Sequence, residues 1–243
     1  MINLTVTAPE LVFKYNHKGE LVDGFDSLTE PQQDSALWTS SRYIQHLSDS
    51  VLLESYVNNF VSELRELGFN VFLQAPDDSL INARPQFYNL AIAQLQVDEY
   101  LYPLEDEQEI EGTVYYKRFR LNAADFSAWF ELSKAGGKSS RKTVLYSTAS
   151  IYDSFEGKFL TDPFSPEVRY SYTIDTLRLN DIYNMGVHLG KRHAGYLFDY
   201  FMNQFIDYNM PQGMVPLYYF HYNRRYQSVQ PAVEDEMLQV IKN

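Results

Sequence analysis

SVLLESYVNNFVSELRELGFNVFLQAPDDSLINARPQFYNLAIAQLQVDEYLYP, Ser50 to Pro103, is the stretch whose reading decides the fold. Leu53, Tyr56, Val57, Phe60, Val61, Leu64 and Leu67 recur at i, i+3, i+4 and i+7, the stripe of an amphipathic helix. Asn58, Asn59, Ser62, Glu63, Arg65 and Glu66 fall on the other side. Ser50 is the expected N-cap and Gly68 the expected left-handed stop. A short strand is predicted at Val71–Leu73, then a loop over 75–86. From Phe87 the chain reads as extended, with Tyr88, Leu90 and Ile92 on one face. The apolar phase then slips to Leu95 and Val97, which predicts a β-bulge near Ala93-Gln94. This is a scaffold unit and carries no chemistry of its own.

On the N-terminal side, Ile2, Leu4 and Val6 alternate as a strand does. Leu11–Tyr15 and Glu20–Phe25 flank Asn16-His17-Lys18-Gly19, read as a hairpin turn. Residues 26–36 read as a loop or helix start around Pro31, and Leu37–Leu47 fits neither period. On the C-terminal side, Glu105–Glu111 reads as an acidic turn. Strands are expected at Thr113–Leu121, Asp125–Ser133, Val144–Ile151 and Val168–Ile174. A second long helix begins after Asn180 and runs to about Tyr208. Gly186, Gly190 and Ala194 lie four apart on it, the spacing of a close approach to a sheet or to the other helix. Past Pro211 the chain reads as irregular and aromatic, ending in an acidic tail. No repeat or linker divides it. The expectation is one α+β domain over 1–243, a mostly antiparallel or mixed sheet covered by helices at about 51–67 and 181–208, with a less regular extension from about 211.

Composition bounds the function. Twenty Lys+Arg against 32 Asp+Glu give a net charge of −12, which repels nucleic-acid phosphates and anionic membrane surfaces. The absence of cysteine excludes disulfides, thiolate zinc sites, iron–sulfur clusters and a cysteine nucleophile. No run approaches the ~20 apolar residues of a membrane span. Residues 1–8 lack the basic start and apolar core of a signal peptide, so the chain reads as cytosolic or stripped of a leader. The 20 tyrosines are spread along the chain, which favours amphipathic sheet faces over one sugar- or peptide-binding patch.

Each candidate site has a plainer reading. Gly136-Gly137-Lys138-Ser139 has Leu132 where a phosphate loop needs glycine, and strand-like flanks, so a basic hairpin turn is expected. His188 and His193, five apart, do not share a helical face. Asp181, Asn184 and His188 fall near one stripe, the polar flank of a helix. Asp98 and Glu99, adjacent in a strand, point to opposite faces and cannot pair with each other. The Glu105–Glu111 cluster lacks the alternating ligands and turn glycine of an EF-hand. His221-Tyr222-Asn223-Arg224-Arg225-Tyr226 mixes basic and aromatic residues, and pairing with acidic groups of the same chain is expected there. There is no G-x-S-x-G or H-E-x-x-H. No catalytic, cofactor-binding or metal residue is assigned and no cofactor is expected.

Arg42-Tyr43-Ile44-Gln45, Leu52-Leu53-Glu54-Ser55-Tyr56, Leu67-Gly68-Phe69-Asn70-Val71, Leu95-Gln96-Val97-Asp98-Glu99-Tyr100 and Asp199-Tyr200-Phe201-Met202-Asn203-Gln204 resemble uncharacterised cell-envelope, outer-membrane-type lipoproteins of Bacteroidetes. More loosely, the helix-to-strand unit is similar to the N-terminal-domain fold of TolB and related envelope lipoproteins. The resemblance implies the periplasmic side of the outer membrane, with a cytoplasmic location as the alternative, and an envelope protein or glycan as partner. Any membrane attachment would be peripheral, through a lipid on a cysteine this chain does not have. A non-catalytic envelope binding or assembly protein is the leading expectation. A glycan-directed hydrolase, whose carboxylate pair leaves no short motif, and a sugar-binding protein stand as the alternatives.

Overall fold

The computed structural model describes residues 2–74, 86–136, 142–162, 164–211, 214, 216–232 and 237–241. The chain opens with β1 (Asn3–Thr7) and β2 (Phe13–Asn16), then α1 (Glu30–Ser40). A capping box between Thr29 and Gln32 starts α1 and puts Pro31 in its first turn. The apolar stripe becomes α2 (Asp49–Glu66), with Leu52, Tyr56, Phe60, Val61 and Leu64 buried. Its cap is Ser48 instead of Ser50. It ends as expected: Gly68 has φ 89°, and Phe69 and Gly68 donate their N–H groups to the carbonyls of Leu64 and Arg65 (3.0 and 3.1 Å). This is the Schellman arrangement. β3 (Asn70–Phe72) follows.

The sheet is built around β4 (Phe87–Ile110) and β5 (Thr113–Lys134). β5 runs unbroken through the two strands read at 113–121 and 125–133. With β6 (Thr143–Tyr152) and β11 (Gln239–Ile241) the order is β11-β6-β5-β4-β1-β3, and β2 also lies on β4. β1 and β2 pair with β4 in parallel, while β5 and β6 are antiparallel neighbours, so the sheet is mixed. The expected bulge is present: the register shifts between Ile92 and Gln94. Leu90 and Ile92 are buried before it, Leu95, Val97 and Glu99 after it. One extra residue therefore changes which parity of β4 faces the core.

The hairpin expected at 16–19 does not form. β2 is parallel to β4, with Asn16 opposite Glu99, and the chain continues into short 3₁₀ turns at Gly19–Leu21 and Phe25–Ser27. Lys18, read as a turn residue, is drawn into the core. Glu105–Glu111 is likewise no acidic turn. It is strand up to Ile110, and Glu111 and Gly112, both with positive φ (52° and 77°), form the two-residue turn. The charges are accommodated across the ladder, where Glu105 faces Arg118 and Asp106 faces Lys117. This distal ribbon packs on a second hairpin, β7 (Ser154–Asp162) and β8 (Ser165–Asp175). Phe119 lies 4.8 Å from Phe155 and 4.9 Å from Tyr172 between ring centroids. Tyr170 donates its hydroxyl hydrogen to Asp106.

α3 (Leu179–Asn209) lies beside α2, and together they pack on one face of the sheet. Tyr56 stacks on Phe126 at 5.5 Å and Phe60 on Phe130 at 5.9 Å. Past 211 the chain is more regular than its composition implies, because α3 supplies partners for it. Asn203 exchanges two hydrogen bonds with the backbone of Phe220 (2.7 and 2.9 Å), and Asp199 accepts from the N–H of Tyr222 (2.8 Å). They hold the hairpin of β9 (Phe220–Asn223) and β10 (Ser228–Pro231). Among the described residues no helix is long and apolar enough to cross a membrane.

The small-residue stripe on α3 faces α2. A Cβ on Gly190 would sit 2.4 Å from the backbone oxygen of Tyr56, and one on Gly186 would meet only the end of the Leu52 side chain at 2.7 Å. Gly190→Ala is expected to lose about 1–3 kcal/mol, and Gly186→Ala markedly less. Urea denaturation of the two variants checks the ranking, and equal losses would refute the close backbone approach.

Candidate functional site

Side-chain alternation sends Asp98 and Glu99 to opposite faces, as expected, but into two different settings. Glu99 is fully buried. Lys18 Nζ donates to its Oε1 at 2.7 Å, Ser41 Oγ to Oε2 at 2.8 Å, and the N–H groups of Arg42 and Tyr43 donate at 2.8 and 3.0 Å. Burial alone would raise its pKa; the bonds from Lys18, Arg42, Tyr43 and Ser41 outweigh that and leave it below the ordinary carboxylate value. Lys18 Nζ also donates to Asn122 Oδ1 at 2.9 Å. Asn122 donates through both its nitrogens to Asp153 Oδ2, and the Leu177 N–H donates to Asp153 Oδ1 at 2.7 Å. The chain of bonds joins the 16–44 segment, β4, β5, the residue that follows β6 and the entry to α3. It is structural, since Lys18 and Glu99 have almost no contact with solvent.

Asp98 lies on the sheet face away from the helices, and this face is the candidate site. Along β4, Gln94 donates to Gln96 (2.8 Å), and Gln96 to Asp98 Oδ2 (2.7 Å). His17 Nε2 meets Asp98 Oδ1 at 2.8 Å. Across the ladder Asp98 stands opposite Asp125, and Asp125 opposite Ser150. Tyr100 donates to Asp125 Oδ1 at 2.9 Å, and its own pKa is raised by burial and by this carboxylate. In the adjoining row Ser127 donates to Thr148 Oγ1 at 3.0 Å. Rings frame these polar rows: Tyr15 with His17 (6.4 Å), Trp129 with Tyr146 (4.8 Å) and Tyr102 with Tyr152 (5.1 Å). Tyr15 and Tyr152 are about half exposed, at 46% and 53%. The face thus offers alternating donors and acceptors between apolar ring surfaces. Directly opposed strand residues have Cβ atoms about 4.5–5.5 Å apart, so Asp98 and Asp125 form a carboxylate pair that single-strand reasoning missed. Each lies on the polar parity of its own strand, and only the register between the strands sets them opposite each other.

The remaining candidates fall out as follows. His188 is exposed and His193 buried, on different faces of α3. Asp181, Asn184 and His188 line one cleft of about 500 Å³ against β6, and Asp181 also caps α3 by accepting from the Arg178 N–H at 2.8 Å. His221 pairs with Asp199 at 2.5 Å, and Arg224 with Glu63 and Glu66, so the basic segment is used inside the chain as expected. Residues 137–139 of the glycine-rich turn lie outside the described residues; Gly136 has φ 79° between antiparallel β5 and β6. Among the described residues no cluster of three His, Asp or Glu side chains is arranged to hold a metal.

Two expectations follow from the buried groups. Lys18→Met strands the Glu99 charge and should cost about 3–5 kcal/mol. Adding Glu99→Leu should not recover it, because the N–H groups of Arg42 and Tyr43 then lose their acceptor; recovery in chemical denaturation would contradict the anchoring role. His193 is wholly buried beside Phe130 and the Tyr56 hydroxyl (2.6 Å from Nδ1), and burial, helped by Arg192, lowers its pKa to about 3. Its folded pKa lies below the unfolded value near 6.5, so the unfolded chain binds the extra proton. Stability should therefore be full above pH ~6.5 and fall toward pH ~3, by on the order of 3 kcal/mol at pH 4. His193→Phe should flatten that part of the pH profile, and an unchanged profile would contradict the assignment.

Comparison with protein-family models and with curated protein sequences gave no match to this chain.

Proposed function

We propose that this chain is a non-catalytic binding or assembly protein of the cell envelope whose open sheet face takes a polyhydroxylated ligand, an envelope glycan. One observation carries the reading: amides, carboxylates and hydroxyls of Gln94, Gln96, Asp98, Asp125 and Thr148 lie in continuous rows between exposed or half-exposed rings. Sugar hydroxyls match such rows, and ring faces pack on the apolar side of a pyranose. The envelope location rests on the resemblance of the quoted segments. A hydrolase acting on the same class of ligand is the second reading, favoured by Asp98 standing opposite Asp125. Binding is supported over hydrolysis because neither carboxylate lines the clefts of about 880, 500, 470 and 1240 Å³, although His17 borders the first and Tyr152 the second.

Calorimetric titration with envelope polysaccharide fragments tests both readings. Tyr15→Ala, Gln96→Ala and Tyr152→Ala should each weaken binding about tenfold or more, while exposed truncations such as Tyr15→Ala and Tyr152→Ala should shift stability by no more than ~0.5 kcal/mol. Shortened products that disappear in Asp98→Asn or Asp125→Asn would favour the hydrolase. Affinity indifferent to all three truncations would sink the sheet-face proposal.

A further inference from the structure

The β6 edge beside α3 is a second surface, adjoining the open face but built from backbone instead of side chains. The Asp153 N–H donates to the Asn122 carbonyl at 2.9 Å, continuing the β5–β6 ladder. This fixes the backbone parity of β6, because in an antiparallel strand the N–H and C=O of one residue point to the same side. Odd residues of β6 turn their backbone toward β5. Val144, Tyr146, Thr148, Ser150 and Tyr152 turn theirs the other way. β11 occupies this side at Val144 and Tyr146, opposite Ile241 and Gln239. Among the described residues no strand pairs with Thr148, Ser150 and Tyr152 on it.

The unpaired stretch is a slot as well as an edge. Between it and α3 lies the cleft of about 500 Å³. Ile151, Met185 and Leu189 give it apolar walls, Asp175 and Asp181 lie toward the start of α3, and Arg192 lies eleven residues further along that helix. Segment 147–152 (Ser-Thr-Ala-Ser-Ile-Tyr) carries none of the usual edge protection: no proline, no lysine and no register shift. Its neighbour on the same edge is already filled by a strand from a remote part of the chain.

We infer that the β6 edge beside α3 accepts an extended peptide from a partner protein, added antiparallel to β6 and in line with β11. From Ser147 to Tyr152 the slot is about 17 Å long, enough for five or six residues at ~3.4 Å each. An antiparallel peptide enters beside Asp175 and Asp181 and leaves toward Arg192, because α3 and the peptide both run against β6. The fitting segment therefore has a cationic residue at its N-terminal end, apolar or β-branched side chains at alternate positions facing Met185 and Leu189, and a carboxylate at its C-terminal end.

The probe is the acetylated, fluorescent peptide Lys-Val-Thr-Val-Thr-Val-Glu, with a version N-methylated at alternate amides and a charge-swapped version starting with Glu and ending with Lys. Anisotropy titration against the full chain should give saturable binding that N-methylation weakens about tenfold or more. Bound peptide should slow amide exchange at Thr148, Ser150 and Tyr152. Arg192→Glu, a change at an exposed site, should reduce or reverse the preference for the original over the charge-swapped peptide. Three results overturn the proposal: no saturable binding, equal affinity for the methylated peptide, or protection of the three amides in the peptide-free chain through dimerisation, which would assign the slot to a second copy.

Discussion

Everything on the N-terminal third of the molecule hangs on the bond between Lys18 and Glu99. A charge buried without a partner is among the costliest features a fold can hold, and this pair is tolerated because neighbouring donors complete the carboxylate's coordination. Ser41 and the N–H groups of Arg42 and Tyr43 close around Glu99, so a segment with little apolar periodicity is fixed against the middle of the sheet. The same lysine reaches Asn122, and through it Asp153 and the approach to α3. Three separate stretches of chain are oriented by one polar cluster. The apolar core needs no such device: Tyr56, Phe60, Phe126 and Phe130 pack ring on ring between α2 and β5.

The two faces of the sheet divide the labour. One carries α2 and α3 against the central strands and supplies stability; the other stays polar and supplies a surface. His17 belongs to the second face although its neighbour Lys18 is locked in the first. The anchor that holds the 16–44 segment down thereby also positions a side chain on the open face. The two proposed contact regions meet at β6, whose Thr148, Ser150 and Tyr152 turn side chains to the open face and backbone to the slot beside α3.

What could be read from the sequence was what is local and periodic. α2 and its Gly68 stop, α3 with its small-residue stripe, the bulge at Ala93 and the opposite faces of Asp98 and Glu99 all follow from spacing within one segment. The Lys18–Glu99 contact spans 81 positions, and nothing in Asn16-His17-Lys18-Gly19 distinguishes a buried lysine from one in an exposed turn. The acidic run at Glu105–Glu111 reads as solvated until its cross-strand cations are known. The same holds for Asp199 and Asn203: in sequence they are polar residues on a long helix, and only the returning chain makes them the seat of a hairpin. The pairing of Asp98 with Asp125 required the register, and register is a property of two strands.

The bulge at Ala93 has a consequence for how this chain can change over time. It lets one continuous strand bury Leu90 and Ile92 before it and Leu95, Val97 and Glu99 after it. Loss of that single residue would leave Leu90, Ile92, Leu95, Val97 and Glu99 in simple alternation on the core face, whereas flattening the bulge with Ala93 retained would turn Glu99 toward water and Asp98, Gln96 and Tyr100 toward the helices. Substitutions around the bulge can accumulate one at a time, each judged on its own side chain. Away from position 93 a one-residue deletion cannot, because it exchanges the inside and the outside of the residues beyond it in a single step.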